Sequence, residues 1–190
     1  MITHFWSNRR NQVGLGLVEL LVYCAMFLIV LGIVGSSMIS LLSVQRAVVG
    51  QATTAQNAHL IAKTMETYIP SSTAIALVTD SDGDQLVTTR TAGSSDTIDW
   101  VCLAWYFDRG SQDIRFKSSD SAITFPTTAD ATTWVLLGES VSGLQDNEVF
   151  SLTGGQLKVG FALESEKQSS VSIRTTITAR GGSWESEPCF

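Results

Sequence analysis

From Leu20 to Gln45 the chain carries no formal charge, and this run constrains everything around it. As one helix it spans about 39 Å at ~1.5 Å per residue, more than the ~30 Å hydrocarbon core of a bilayer. One carboxylate, Glu19, stands at the mouth of the run, and two arginines, Arg9 and Arg10, stand just before it. Downstream the chain turns polar and reads as strands.

Residues 1 to 13 are short, polar and positive, with no acid among them. Positive flanks stay cytoplasmic, so the C-terminal part is expected outside. The run is too long for the apolar region of a secretory signal, and no A-x-A-like cleavage site follows it. A plain signal anchor is the alternative.

The helix need not stop at the membrane. Val48, Ala52, Ala55, Ala58, Ala62, Met65 and Ile69 recur at spacings of three and four, an apolar stripe on an otherwise polar helix. Pro70 closes the pattern. The spacing predicts one helix from about Leu15 to Ile69, apolar all round in its first half and amphipathic in its second. Gly32, Gly35 and Gly50 weaken it locally.

After Pro70 the period changes to two. The stretches 74–78, 85–89, 98–107, 114–117 and 134–137 read as strands. Leu157, Val159, Phe161 and Leu163 alternate with smaller or polar residues, as do Val171, Ile173, Ile177 and Ala179. These predict an antiparallel pair with one buried face, joined by a polar turn over 164–170. No linker separates helix from strands, so both belong to one α+β roll. The length of 190 residues suits one such domain plus an anchor.

The net charge is −6, and −8 without residues 1 to 14. An acidic domain does not attract phosphate backbones, so no direct nucleic-acid partner is expected. Of the three cysteines, Cys24 lies inside the apolar run. Cys102 and Cys189 form the candidate disulfide in an oxidising compartment, with two unrelated thiols as the alternative.

Asp80, Asp82 and Asp84 place oxygens at alternate positions, like the start of a calcium loop. The glycine and glutamate that such a loop needs are replaced by Gln85 and Thr91. The reading is an Asp-Gly turn between two strands, with no metal and no cofactor expected. His4 and His59 are the only histidines, and no nucleophile, phosphate-loop or metalloprotease pattern is present. Trp100, Trp105, Trp134 and Trp184 read as packing residues. No catalytic residues, and no enzymatic activity, are expected.

The stretch Gly14-Leu15-Gly16-Leu17-Val18-Glu19-Leu20-Leu21-Val22 resembles the class III signal of type IV pilins and type II secretion pseudopilins. That signal has a basic leader, a glycine, a hydrophobic first mature residue, a glutamate as fifth mature residue, and then an apolar helix. The resemblance implies cleavage between Gly14 and Leu15 by a prepilin peptidase and N-methylation of Leu15. It also implies assembly through Glu19. The implied divisions are a leader over 1–14, a transmembrane and assembly helix over 15–45, and an extracytoplasmic α+β pilin domain over 46–190. The implied fold is a pilin-like roll, a long N-terminal helix packed on an antiparallel β-sheet.

Within that family, three segments resemble the PilW/GspJ-type minor subunits. They are Trp105-Tyr106-Phe107-Asp108, the Leu137-to-Leu144 segment with Val141, and Val149-Phe150. The implied partners are other pilin or pseudopilin subunits, an inner-membrane assembly platform and the prepilin peptidase. The implied location is the cell membrane before assembly, with the N-terminus cytoplasmic, and an extracytoplasmic filament afterwards. The competing reading is a single-span, membrane-anchored extracytoplasmic binding domain that does not polymerise.

Overall fold

The computed structural model describes residues 13–93, 99–144, 148–165, 168–181 and 189. The chain divides into two compact units, Met1–Val48 and Val49–Phe190. Helix α1 (Val13–Tyr68) supplies the described part of the first unit and opens the second. The chain is therefore α+β, with one long N-terminal helix that is apolar in its first half, and antiparallel sheet after it.

In the second unit α1 ends where the sequence places its stop. The proline ring supplies no N–H, and Ile69–Ser71 tightens into a 3-10 turn. The buried Ser72 donates both its N–H (3.0 Å) and its hydroxyl (2.6 Å) to the Ile69 carbonyl. Five strands follow in chain order: β1 (Ala74–Thr79), β2 (Gln85–Ala92), β3 (Trp100–Asp108), β4 (Asp113–Ser119) and β5 (Val135–Gly138). Each pairs antiparallel with the next. A single-turn helix, α2 (Thr128–Ala131), sits between β4 and β5, with Thr127 Oγ1 accepting the Asp130 N–H.

A second sheet contains β6 (Val141–Gly143), β7 (Phe150–Thr153), β8 (Gln156–Ser165) and β9 (Gln168–Thr178). Strand β8 is its axis. Strands β6 and β7 pair with successive parts of one β8 edge, and β9 runs along the other. The β8–β9 register sets Leu157 opposite Ile177, Phe161 opposite Ile173 and Leu163 opposite Val171. Like residues share one face, as the alternation requires.

Ala58, Ile61 and Met65 of α1, with Ile69 of the turn that follows, form one core with Val87, Leu103, Trp105 and Phe107 of the first sheet. Leu157, Val159, Phe161, Leu163 and Ile177 of the second sheet join the same core. Burying each large side chain contributes roughly 1.5–3 kcal/mol against an extended reference chain. The other face of β3 is buried too. Cys102, Ala104 and Tyr106 pack with Leu86, Ile123, Ala131, Trp134 and Cys189 in a second, smaller cluster.

Polar groups fasten the sheets together. Gln85, the first residue of β2, is buried and spans to β7. Its Oε1 accepts the Val149 N–H (2.8 Å) and the Phe150 N–H (2.9 Å), and its Nε2 donates to the Phe150 carbonyl (2.9 Å). Trp105 Nε1 donates to Thr64 Oγ1 (3.2 Å), tying β3 to α1. Gly181 crosses so close to Thr73 that a Cβ there would overlap the Thr73 carbonyl.

Several boundaries differ from the sequence reading. There are two sheets, not one, because the short strands β6 and β7 carry no alternation long enough to notice. The residues expected to turn over 164–170 mostly continue the strands, and Ser165 already pairs with Gln168. Backbone pairing continues through polar residues once the register is set. On α1, Val48 and Ala52 are exposed, while Ile61, outside the expected stripe, is fully buried. Periodicity gives a helix face but not where the surface covering it begins. Residue 98, the expected start of β3, lies outside the described residues.

Gln85→Ala strands three buried backbone groups, each costing about 1–3 kcal/mol when unpaired. In residues 49–190, expressed without the apolar run, the melting midpoint should fall by roughly 10 °C. Thermal melts followed by circular dichroism check this; an unchanged midpoint contradicts the role given to Gln85.

Candidate functional site

In the first unit the described helix is apolar on every side. Large side chains from Leu17, at 66% exposure, to Ile39, at 71%, find no cover. The helix is long and apolar enough to cross a membrane. Its hydroxyl groups do not spoil that surface. Ser36 and Ser37 both donate to the Ile33 carbonyl (2.9 Å each), and Ser43 donates to the Ser40 carbonyl (2.7 Å). A hydroxyl bonded to its own helix leaves less unmet polarity for a lipid or a partner helix to accommodate.

Glu19 is the only charged residue between Gly16 and Gln45. Its Oε1 accepts a hydrogen bond from the Tyr23 hydroxyl, one turn further on (3.2 Å). Gly14 and Leu15 occupy the first turn of α1. Leu15 and Glu19 are four positions apart, so a helical backbone sets them on one face, one turn apart. Periodicity does not mark Tyr23, but its place four residues after the carboxylate is a signal the sequence does carry. Arg9 and Arg10 lie outside the described residues, as do His4 and Trp184.

In the second unit Cys102 and Cys189 form a disulfide, with Cα atoms 5.4 Å apart. It closes a separation of 87 residues and is buried at both ends. In the chain-entropy picture a loop of that size is worth roughly 4–5 kcal/mol. Cys24 is free and exposed.

The acidic segment forms the turn between β1 and β2. Asp80 Oδ1 accepts the N–H groups of Asp82 and Asp84 (2.9 Å each), and Gly83 takes a φ of +85°. Asp84 turns inward instead. Its Oδ1 accepts the Arg109 N–H (2.9 Å) and its Oδ2 accepts the Tyr106 hydroxyl (2.5 Å). These carboxylates organise two neighbouring turns through the local bonds that aspartate favours. Among the described residues, no group of three or more His, Cys, Asp or Glu is placed to hold a metal ion. Burial pushes the Tyr106 phenol well above its ordinary range, and the Asp84 hydrogen bond adds to the effect.

The segments that carry the minor-subunit resemblance are mostly interior. Trp105, Phe107, Leu137, Val141, Val149 and Phe150 belong to the main core and Tyr106 to the smaller cluster. Asp108 Oδ1 accepts the N–H groups of Gly110 and Ser111. Trp105 and Trp134 are buried, and Trp100 lies under the Arg90 guanidinium at 4.3 Å. His59 is exposed on α1. A hollow of about 500 Å³ on the second sheet is bordered by Glu148, Ser151, Lys158, Arg174 and Thr176.

No protein-family model matches the chain, and neither a curated protein nor a solved structure does.

The Tyr106 shift has a measurable sign. An unfolded tyrosine titrates near 10, and the folded phenol titrates higher. Above pH ~10 the unfolded chain has lost a proton that the folded one keeps. Stability present below that pH then falls by up to about 1.4 kcal/mol per pH unit, until the folded phenol titrates. Tyr106→Phe should cost about 1–2 kcal/mol at pH 7 and make the loss between pH 10 and 11 shallower. Urea unfolding of both proteins across that range checks it, and parallel alkaline slopes would contradict it.

Proposed function

We propose that the chain is a minor pilin or pseudopilin, a structural subunit of a type IV pilus or a type II secretion-like pseudopilus. One observation carries the reading. A single carboxylate, Glu19, stands five residues after a glycine at the mouth of a helical run, Leu20 to Gln45, that is otherwise uncharged and whose large apolar side chains are exposed. A carboxylate at that depth is costly without a partner. Cleavage after Gly14 creates one, the amine of Leu15. In a filament the amine of one subunit pairs with Glu19 of a neighbour shifted along the axis, which fixes the register of assembly. The apolar helix serves first as a membrane anchor and then as the packing surface between subunits.

The α+β domain beyond the run and the Cys102–Cys189 disulfide fit an exported, oxidising location. The partners are like-built subunits, an inner-membrane assembly platform and a prepilin peptidase that also methylates Leu15. The competing reading, an anchored binding domain that does not polymerise, draws on the hollow beside Lys158 and Arg174.

Two measurements separate the readings. In a host with a prepilin peptidase, intact mass should show loss of residues 1–14, and Gly14→Val should leave the full-length chain in the membrane. Cleavage that ignores this substitution sinks the assignment. Glu19→Leu should insert into the membrane as well as the native chain. It should then be depleted from sheared filaments, because an amine buried without its partner costs about 3–5 kcal/mol, a factor of hundreds or more. Full incorporation of Glu19→Leu would show the ion pair to be dispensable.

A further inference from the structure

On a helix, Glu19 has four side-chain neighbours at three or four positions away: Leu15, Gly16, Val22 and Tyr23. Of these only Tyr23 has a polar side chain, and its hydroxyl donates to Glu19 Oε1 at 3.2 Å. Tyr23 is also the only tyrosine of the apolar run. We propose that Tyr23 is a positioning residue for Glu19, holding Oε1 so that Oε2 remains to receive the amine of a neighbouring subunit. This rests on the filament reading above and goes beyond it by assigning the second partner of the carboxylate.

A carboxylate has about four acceptor sites and an ammonium fills only some of them. At a membrane edge, water serves the rest, and the phenol adds little. Between packed apolar helices water is gone, and an unmet oxygen becomes costly. The value of the Tyr23 bond is therefore greatest in the assembled state. The donor is also neutral. A lysine at this position would cancel the Glu19 charge within its own subunit and weaken the attraction for a neighbour's amine, whereas a phenol orients the carboxylate and leaves its charge intact.

The plainer role for such a residue is an aromatic ring anchored at the membrane interface. Two substitutions order the two roles oppositely. Tyr23→Phe keeps the ring and removes the donor. Tyr23→Gln removes the ring and supplies a neutral N–H donor at the same helical spacing. The full chain and both variants would be expressed with prepilin peptidase and partner subunits, and scored for leader loss by intact mass and for the ratio of sheared filament to membrane protein. Tyr23→Phe should be processed normally and fall about tenfold in that ratio, the loss of one charge-assisted hydrogen bond. Tyr23→Gln should recover to within about threefold of the native ratio.

Native incorporation of Tyr23→Phe, or equal depletion of both variants, would overturn the assignment. Absence of the unsubstituted chain from filaments would overturn the filament reading and this proposal together. That result is seen before any Tyr23 variant is scored.

Discussion

The folded domain depends on one row of helix side chains. Ala58, Ile61 and Met65 of α1, with Ile69 of the turn that follows, are the residues that both sheets pack against. In a protein, most of a helix's stability comes from the face it buries. The sheets need that face in turn, because β1–β5 and β6–β9 are each open sheets with an apolar surface to cover. Gln85 then settles how the two meet. A side chain that bonds two N–H groups and a carbonyl of another strand admits one register, where apolar contact alone would admit several.

The parts of the chain that were legible in the sequence obey a single period over a long enough stretch. The apolar run, the proline stop, the Asp-Gly turn and the β8–β9 pair all read correctly in kind. What hid the second sheet is local chemistry. Gly138 ends β5, and Val141 begins β6 with only two residues between them. Ser140 takes a φ of +55°, a conformation that costs an ordinary residue about 1 kcal/mol. The strands flanking the change of sheet are three or four residues long, too short to display a period. Strand β3 concealed something different. Buried on both faces, it reads as an almost unbroken apolar run, and its second face is recognisable only once Trp134, Ile123 and Cys189 are seen to cover it.

The candidate assembly segment was legible in its charge pattern and illegible in its hydrogen bonding. Glu19 stands out because nothing else in the run is charged. The internal bonds of Ser36, Ser37 and Ser43 follow from helix geometry, yet composition alone would count those residues as polar interruptions. Once their hydroxyl donors are turned onto the helix backbone, Glu19 and Tyr23 form the principal polar feature of the described surface before residue 45. In the filament proposed above, the polar contact available to a neighbouring helix would lie near the start of α1, and the remaining length would offer close apolar packing.

Where α1 gives way to the sheets, three backbone segments meet within hydrogen-bonding reach. Thr73 donates its N–H to the Arg90 carbonyl of β2 (2.8 Å), and Gly181, just past β9, donates to the Ser72 carbonyl (3.3 Å). The glycine leaves no Cβ to hold those chains apart. The junction is therefore a mechanical coupling. Tension applied along α1 leaves the helix at Ile69 and passes into β1 directly, into β2 through Thr73 and toward β9 through Gly181. Beyond the core contacts of Ala58, Ile61 and Met65, load at the helix end reaches both sheets through backbone bonds within four residues of Ile69.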